Sequence, residues 1–152
     1  MALDCVSRFS RKPIFFSFGS GDVAQRAGSS QVTIPLVAVI DDDEALRSSL
    51  VDLMRSSGYR CEPFMSAEAF LASSNRSDWD CIIADIHMPG MGGLNLIRGL
   101  RRWGSVTPVI LITALPDKNL DEEAVSIGAL CLLRKPFEMT CLLDYVERSL
   151  GG

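Results

Sequence analysis

Residues 36–44 read Leu36-Val37-Ala38-Val39-Ile40-Asp41-Asp42-Asp43-Glu44, five apolar residues that run straight into four acids. An unbroken apolar run of this length is the pattern of a strand buried on both faces, as in a parallel sheet. Similar runs lie at 81–84 before Asp85, at 109–112 before Thr113, and at 130–133 shortly before Lys135, with a weaker strand at 59–63. The stretches between them carry apolar residues at helical spacing. Leu46, Leu50, Leu53 and Met54 make one stripe, Leu94, Ile97 and Leu100 a second, and Leu120, Ala124 and Ile127 a third. Cys141, Leu142, Tyr145, Val146 and Ser149 make a fourth, and Ser66 is an N-cap candidate for a shorter helix from Ala67. Gly58 and Gly128 each stand between a helix and a strand, where a glycine in the left-handed conformation is expected. Five strand–helix units in strict alternation predict an α/β, doubly wound five-stranded parallel sheet with helices on both faces. In such sheets the functional crevice lies at the carboxyl ends of the strands.

The 152 residues fit one globular domain with room for a tail. With 47% hydrophobic and 22% charged residues, neither wholesale disorder nor a disulfide-stapled miniprotein fits. Charge is unevenly placed. Residues 1–33 carry Arg8, Arg11, Lys12 and Arg26 against Asp4 and Asp22, net +2, so the total of −4 leaves −6 for residues 34–152. An acidic body argues against a dedicated nucleic-acid surface, because phosphate neutralisation drives such binding. Residues 1–33 lack any helical or strand period and read as a disordered N-terminal extension, with docking of the Phe15, Phe16, Phe18 cluster as the alternative. Residues 34–152 form the second, ordered region. Five scattered cysteines with no C-x-x-C pair argue for reduced, buried thiols rather than a zinc site. No apolar run approaches the ~20 residues of a membrane span, so a soluble, cytoplasmic protein with no membrane partner is expected.

The strand ends carry the chemistry. Asp41 and Asp42 follow the first strand and Asp85 follows the third, so adjacent strands can deliver three carboxylates into one space. Acids favour helix N-termini for about 0.3 to 1 kcal/mol each. Two carboxylates ~4 Å apart repel by about 4 kcal/mol at an effective dielectric near 20, so their convergence calls for a cation. Mg²⁺ suits best, since it takes one or two carboxylates and leaves room for a phosphoryl oxygen. Thr113 after the fourth strand and Lys135 after the fifth add a hydroxyl and an ammonium that complement a doubly negative group. Together these make a phosphoryl-transfer site, with the Lys135-Pro136 bond expected to be cis.

Here the chain resembles a two-component response-regulator receiver domain. The resemblance rests on Val39-Ile40-Asp41-Asp42-Asp43, Asp85-Ile86-His87-Met88-Pro89-Gly90-Met91-Gly92-Gly93, Leu111-Ile112-Thr113-Ala114 and Lys135-Pro136-Phe137, and is nearest to receivers of the nitrogen-fixation and nodulation regulator type. It implies a flavodoxin-like fold with strand order 2-1-3-4-5. It implies that Asp85 accepts a phosphoryl group from a sensor histidine kinase or phosphotransfer protein. Asp42 would bind Mg²⁺ directly and Asp41 through water, with Asp85 and the backbone carbonyl of His87 as further ligands. Asp43 and Glu44 would be ordinary acids of the first helical turn. Thr113 and Lys135 would meet phosphoryl oxygens, and movement of Thr113 would reshape the face made by the fourth helix, fifth strand and fifth helix, for a protein partner or a homodimer.

Two departures from the family stand out. The aromatic usual three residues before the lysine is replaced by Leu132, and the chain ends at Gly151-Gly152, so no DNA-binding output domain is expected. His87, the single histidine, is expected to face solvent and to tune the lifetime of an aspartyl phosphate. Two alternatives are a haloacid-dehalogenase-like phosphatase using Asp41 and Asp43, and a receiver that never accepts phosphate and acts as a scaffold. The phosphatase motif wants Thr or Val two residues after its second Asp, where Ala45 stands.

Overall fold

In the computed structural model, residues 34–73 and 79–151 are described. The expectation for residues 1–33, including Phe15, Phe16 and Phe18, lies outside them. The elements run β1 (Leu36–Ile40), α1 (Glu44–Ser56), β2 (Arg60–Phe64), α2 (Ala67–Ala72), β3 (Cys81–Asp85), α3 (Gly93–Arg102), β4 (Val109–Thr113), α4 (Asn119–Ser126), β5 (Cys131–Arg134) and α5 (Met139–Gly151). All four strand pairings are parallel, in the order β2-β1-β3-β4-β5. The chain winds outward in both directions from β1 and β3, so the crevice at their carboxyl ends sits where the strand order reverses.

Position in the sheet explains the strand composition. Every residue of the three inner strands is buried, whereas β2 and β5 at the edges bury only part of theirs. Continuous apolar runs belong to the first kind of strand, which is why β2 reads weakly in the sequence. Two of the inner strands, β3 and β4, end one residue later than their apolar runs, whereas β1 ends with its run at Ile40. Asp85 pairs with Ile112 and Thr113 with Arg134 in the ladder. The sheet's hydrogen bonds are backbone bonds, so a polar side chain at the end of a run does not terminate pairing. Asp85 and Thr113 therefore stand on the last rung of the sheet, whereas Asp41, Asp42 and Lys135 lie just after their strands.

Helices seal both faces. Leu50, Val51 and Met54 of α1, Leu96, Ile97 and Leu100 of α3, Leu120 and Ala124 of α4, and Leu142, Tyr145 and Val146 of α5 are buried. Phe64, Phe70 and Trp79 pack with ring centroids 5.3 to 5.6 Å apart, two of the contacts edge to face, beneath α2. The ends are capped as the sequence predicts at Ser66, whose hydroxyl accepts from Ala69 N–H, and at Gly58 and Gly128, with φ of 97° and 98°. Cys61, Cys81 and Cys131 are free and buried, and burial pushes the first two thiols up to about 12 and about 11. Among the described residues, no helix is long and apolar enough to cross a membrane.

Candidate functional site

Carboxylate oxygens of Asp41, Asp42 and Asp85 lie within 4.8 Å of one another at the ends of β1 and β3. Asp41 and Asp85 are buried and Asp42 is exposed, so the cluster opens to solvent on one side only. Asp41 is held by its neighbours: Oδ1 accepts from Asp43 N–H at 2.9 Å, and its backbone carbonyl accepts from Arg47 Nη1 at 2.7 Å. Its Oδ2 is buried and has no hydrogen-bond partner. Burial, followed by the charges of Asp85 and Asp42, holds the Asp41 carboxyl above its ordinary value, against the Asp43 N–H and Lys135.

Asp85 is satisfied on both oxygens. Oδ1 accepts from the backbone N–H of His87 at 2.8 Å, and Oδ2 accepts from Lys135 Nζ at 3.0 Å. The ammonium also stands 3.9 Å from Asp41 Oδ2. Burial alone would lower the Lys135 pKa, but the hydrogen bond and charge of Asp85, with Asp41 and Asp43, hold it above the ordinary lysine value. One cation thus faces three carboxylates, which leaves net negative charge in a largely buried space. A hard divalent ion with oxygen ligands fits that donor set, and the orphaned Asp41 Oδ2 is an acceptor aimed at it.

The remaining predicted residues sit around this centre. Thr113 is fully buried at the end of β4, one residue past the register partner of Asp85, and its Oγ1 accepts from Leu115 N–H at 3.1 Å. The Lys135-Pro136 bond is cis, as expected. His87 is exposed, so its imidazole faces solvent while its N–H serves Asp85. Leu132, at the position of the family's aromatic, is partly buried against the core. Asp43 is not simply an acid of the first turn: it is the N-cap of α1, its Oδ1 accepting from Ala45 and Leu46 N–H at 3.0 and 3.3 Å. That engagement speaks against Asp43 as the second carboxylate of a phosphatase pair.

Other residues support the site without standing out in the sequence. Glu68 of α2 accepts from Met91 N–H at 2.9 Å, tethering the loop that follows Asp85. Gly92 and Gly93 let that loop turn back on β3. A Cβ on Gly92 would collide with the carbonyl oxygen of Ile86, and one on Gly93 would lie 2.8 Å from that of Asp85. Nothing in the local sequence pattern marks either Arg47 or Glu68.

Comparison with known proteins identifies the family. Residues 37–147 match the response regulator receiver domain family. The chain is 42% identical over 115 residues to the transcriptional regulatory protein FixJ of Azorhizobium caulinodans, covering 76% of this chain and 54% of that protein. It is 36% identical to the response regulator protein TodT of Pseudomonas putida, covering 76% of this chain and 51% of that protein. The chain thus spans about half the length of the curated relatives it matches. Among solved structures, the response regulator StyR superposes with a TM-score of 0.73 at 37% identity, over 78% of this chain and 60% of StyR. The FixJ-N crystal structure superposes with a TM-score of 0.71 at 32% identity, over 79% of this chain and 96% of that one. On the sheet order, the acidic cluster and these matches, the chain belongs to the response regulator receiver domain family and is a receiver domain of a two-component response regulator.

Proposed function

We propose that Asp85 is the phosphoacceptor of this receiver. Receiver domains are regulatory rather than classical enzymes, and they interact with histidine kinases and phosphotransfer proteins. An Asp85 carboxylate oxygen forms a bond to the phosphorus of a partner's phosphohistidine. The N–P bond breaks with its electron pair going to the departing imidazole nitrogen, which takes up a proton from solvent. The acyl phosphate that results carries its negative charge beside Lys135, whose Nζ already touches Asp85, and beside the hydroxyl of Thr113, which donates to a phosphoryl oxygen.

Receiver domains bind Mg²⁺ at an acidic pocket, and this chain carries such an aspartate cluster. Asp41, Asp42, Asp85 and the carbonyl of His87 would hold the ion, which supplies positive charge against the phosphoryl oxygens. The observation that carries the proposal is the 3.0 Å contact of Lys135 with Asp85 inside a three-carboxylate cluster whose Asp41 Oδ2 lacks a hydrogen-bond partner. A purely structural salt bridge would not need two further acids beside it.

The output is a change of protein–protein contact, by a downstream partner or a second copy, on the face of α4, β5 and α5. Incubation with acetyl phosphate and Mg²⁺, followed by a Phos-tag gel and intact mass, tests the reading. One phosphate per chain, lost in Asp85→Asn, is expected. No mass gain in the wild type would point to the scaffold reading, and repeated turnover of a small phosphate ester would point to a phosphatase.

A further inference from the structure

Leu115 is held from both of its ends. Its N–H donates to Thr113 Oγ1 at 3.1 Å, and its carbonyl accepts from Arg134 Nε at 3.2 Å. The same guanidinium donates from Nη2 to the carbonyl of Asp117 and from Nη1 to both carboxylate oxygens of Asp121, at 3.0 and 3.1 Å. Arg134 is the last residue of β5 and the register partner of Thr113. One side chain therefore gathers the β4–α4 loop and the first turn of α4 and fastens both to the strand beside Thr113.

A lone exposed ion pair would contribute little here, since the Arg134 and Asp121 side chains are 32% and 50% exposed. What distinguishes this one is that the planar fork meets two backbone carbonyls and a carboxylate at once, in bonds strengthened by the positive charge. Only arginine presents donors in that arrangement. Leu132, two residues before it, offers no aromatic ring to follow a movement of Thr113, whereas Arg134 holds the residue to which the Thr113 hydroxyl is bonded.

We propose that Arg134 is a positioning residue that latches the β4–α4 loop in the placement seen here, and so sets the free energy of moving Thr113 toward a phosphoryl group on Asp85. This rests on the receiver reading above, in which Thr113 meets that group. A shift of the Thr113 hydroxyl displaces Leu115 and works against the latch. A contact that favours one placement opposes, by the same free energy, a ligand that favours the other. Weakening the latch therefore tightens binding of a phosphoryl group that Arg134 never touches. A merely structural arginine would behave in the opposite way, because loosening the loop would loosen the site.

The test uses the full chain, with beryllium fluoride as the phosphoryl mimic in Mg²⁺ and amide exchange at Leu115 as the local readout. In Arg134→Gln, exchange of the Leu115 N–H is expected to be about tenfold faster, equivalent to about 1.4 kcal/mol, and beryllium fluoride to bind several-fold tighter. Asp121→Asn, which removes one half-exposed partner, is expected to move both readouts the same way by less, and carries the test if Arg134→Gln does not fold. Unchanged or weaker beryllium fluoride binding in the folded variants overturns the latch. Failure of the wild type to take phosphate on Asp85 from acetyl phosphate overturns the phosphoacceptor role of Asp85, and the latch with it.

Discussion

Lys135 Nζ reaches Asp85 Oδ2 at 3.0 Å across the width of β4, joining residues fifty apart in the chain. The Lys135 side chain is 27% exposed while Asp85 is buried, so the pair sits at the floor of an open crevice rather than inside the core. Removing the cation leaves Asp41 and Asp85 facing each other in a space poor in water. In metal-free protein, Lys135→Met is therefore expected to cost about 1 to 3 kcal/mol, less than the roughly 3 to 5 kcal/mol of breaking a fully buried pair, because solvent reaches the site. Urea unfolding with excess chelator measures it, and an unchanged midpoint would sink the argument.

The same excess of negative charge predicts stabilisation by Mg²⁺. An ion that binds the folded state alone raises stability by about 2.7 kcal/mol at one hundred times its dissociation constant. Thermal unfolding should therefore shift upward with Mg²⁺. Asp42→Ala should abolish most of the shift with little effect on the metal-free protein, because Asp42 is exposed. A full shift in that variant would place the ion elsewhere.

Burial holds the Asp41 carboxyl above its ordinary value of 3.8, so the folded protein keeps a proton that the unfolded chain has released. In the window between those two values the folded state binds more protons, and stability falls as pH rises through it. Above the window the full cost of the buried charge is present. Without metal, Asp41→Asn should be more stable than the wild type at about pH 7, the difference shrinking toward about pH 4. A constant difference across that range would show that Asp41 is not the group responsible.

The architecture was legible where burial is two-sided. β1, β3 and β4 announce themselves as unbroken apolar runs because both of their faces are covered, and their terminal acids and hydroxyl mark the crevice. The edge strand β2, with Arg60, Glu62 and Pro63 exposed, carries no such pattern. Convergence of Asp41, Asp42, Asp85 and Lys135 could be anticipated, since parallel strands bring their ends together. The roles of Arg134, Arg47 and Glu68 could not. Each of the three bonds to backbone groups of a neighbouring segment, and a backbone carbonyl or N–H is the same at every position of the sequence. Asp43 was misjudged for a related reason: whether an acid caps a helix or lies in its first turn depends on where the helix begins.

Two glycines of α3 separate close approach from simple flexibility. Gly93 opens the helix against β3, where an added Cβ would lie 2.8 Å from the Asp85 carbonyl oxygen and 2.9 Å from Leu111 Cδ2. Neither neighbour can yield easily, since one is backbone of the strand that carries Asp85 and the other is a buried core side chain. Gly93→Ala is expected to destabilise by about 1 to 3 kcal/mol, the cost of overpacking, and to slow phosphoryl acceptance by shifting Asp85. Gly99 lies in the same helix with nothing within 4 Å of its added Cβ, and its backbone is already helical. There the methyl costs no contact and removes freedom from the unfolded chain, so Gly99→Ala should stabilise by about 0.4 to 1 kcal/mol with acceptance unchanged. Denaturant midpoints for the two variants should therefore move in opposite directions. Movement of both in the same direction would mean that α3 does not approach β3 at Gly93 as closely as the structure places it.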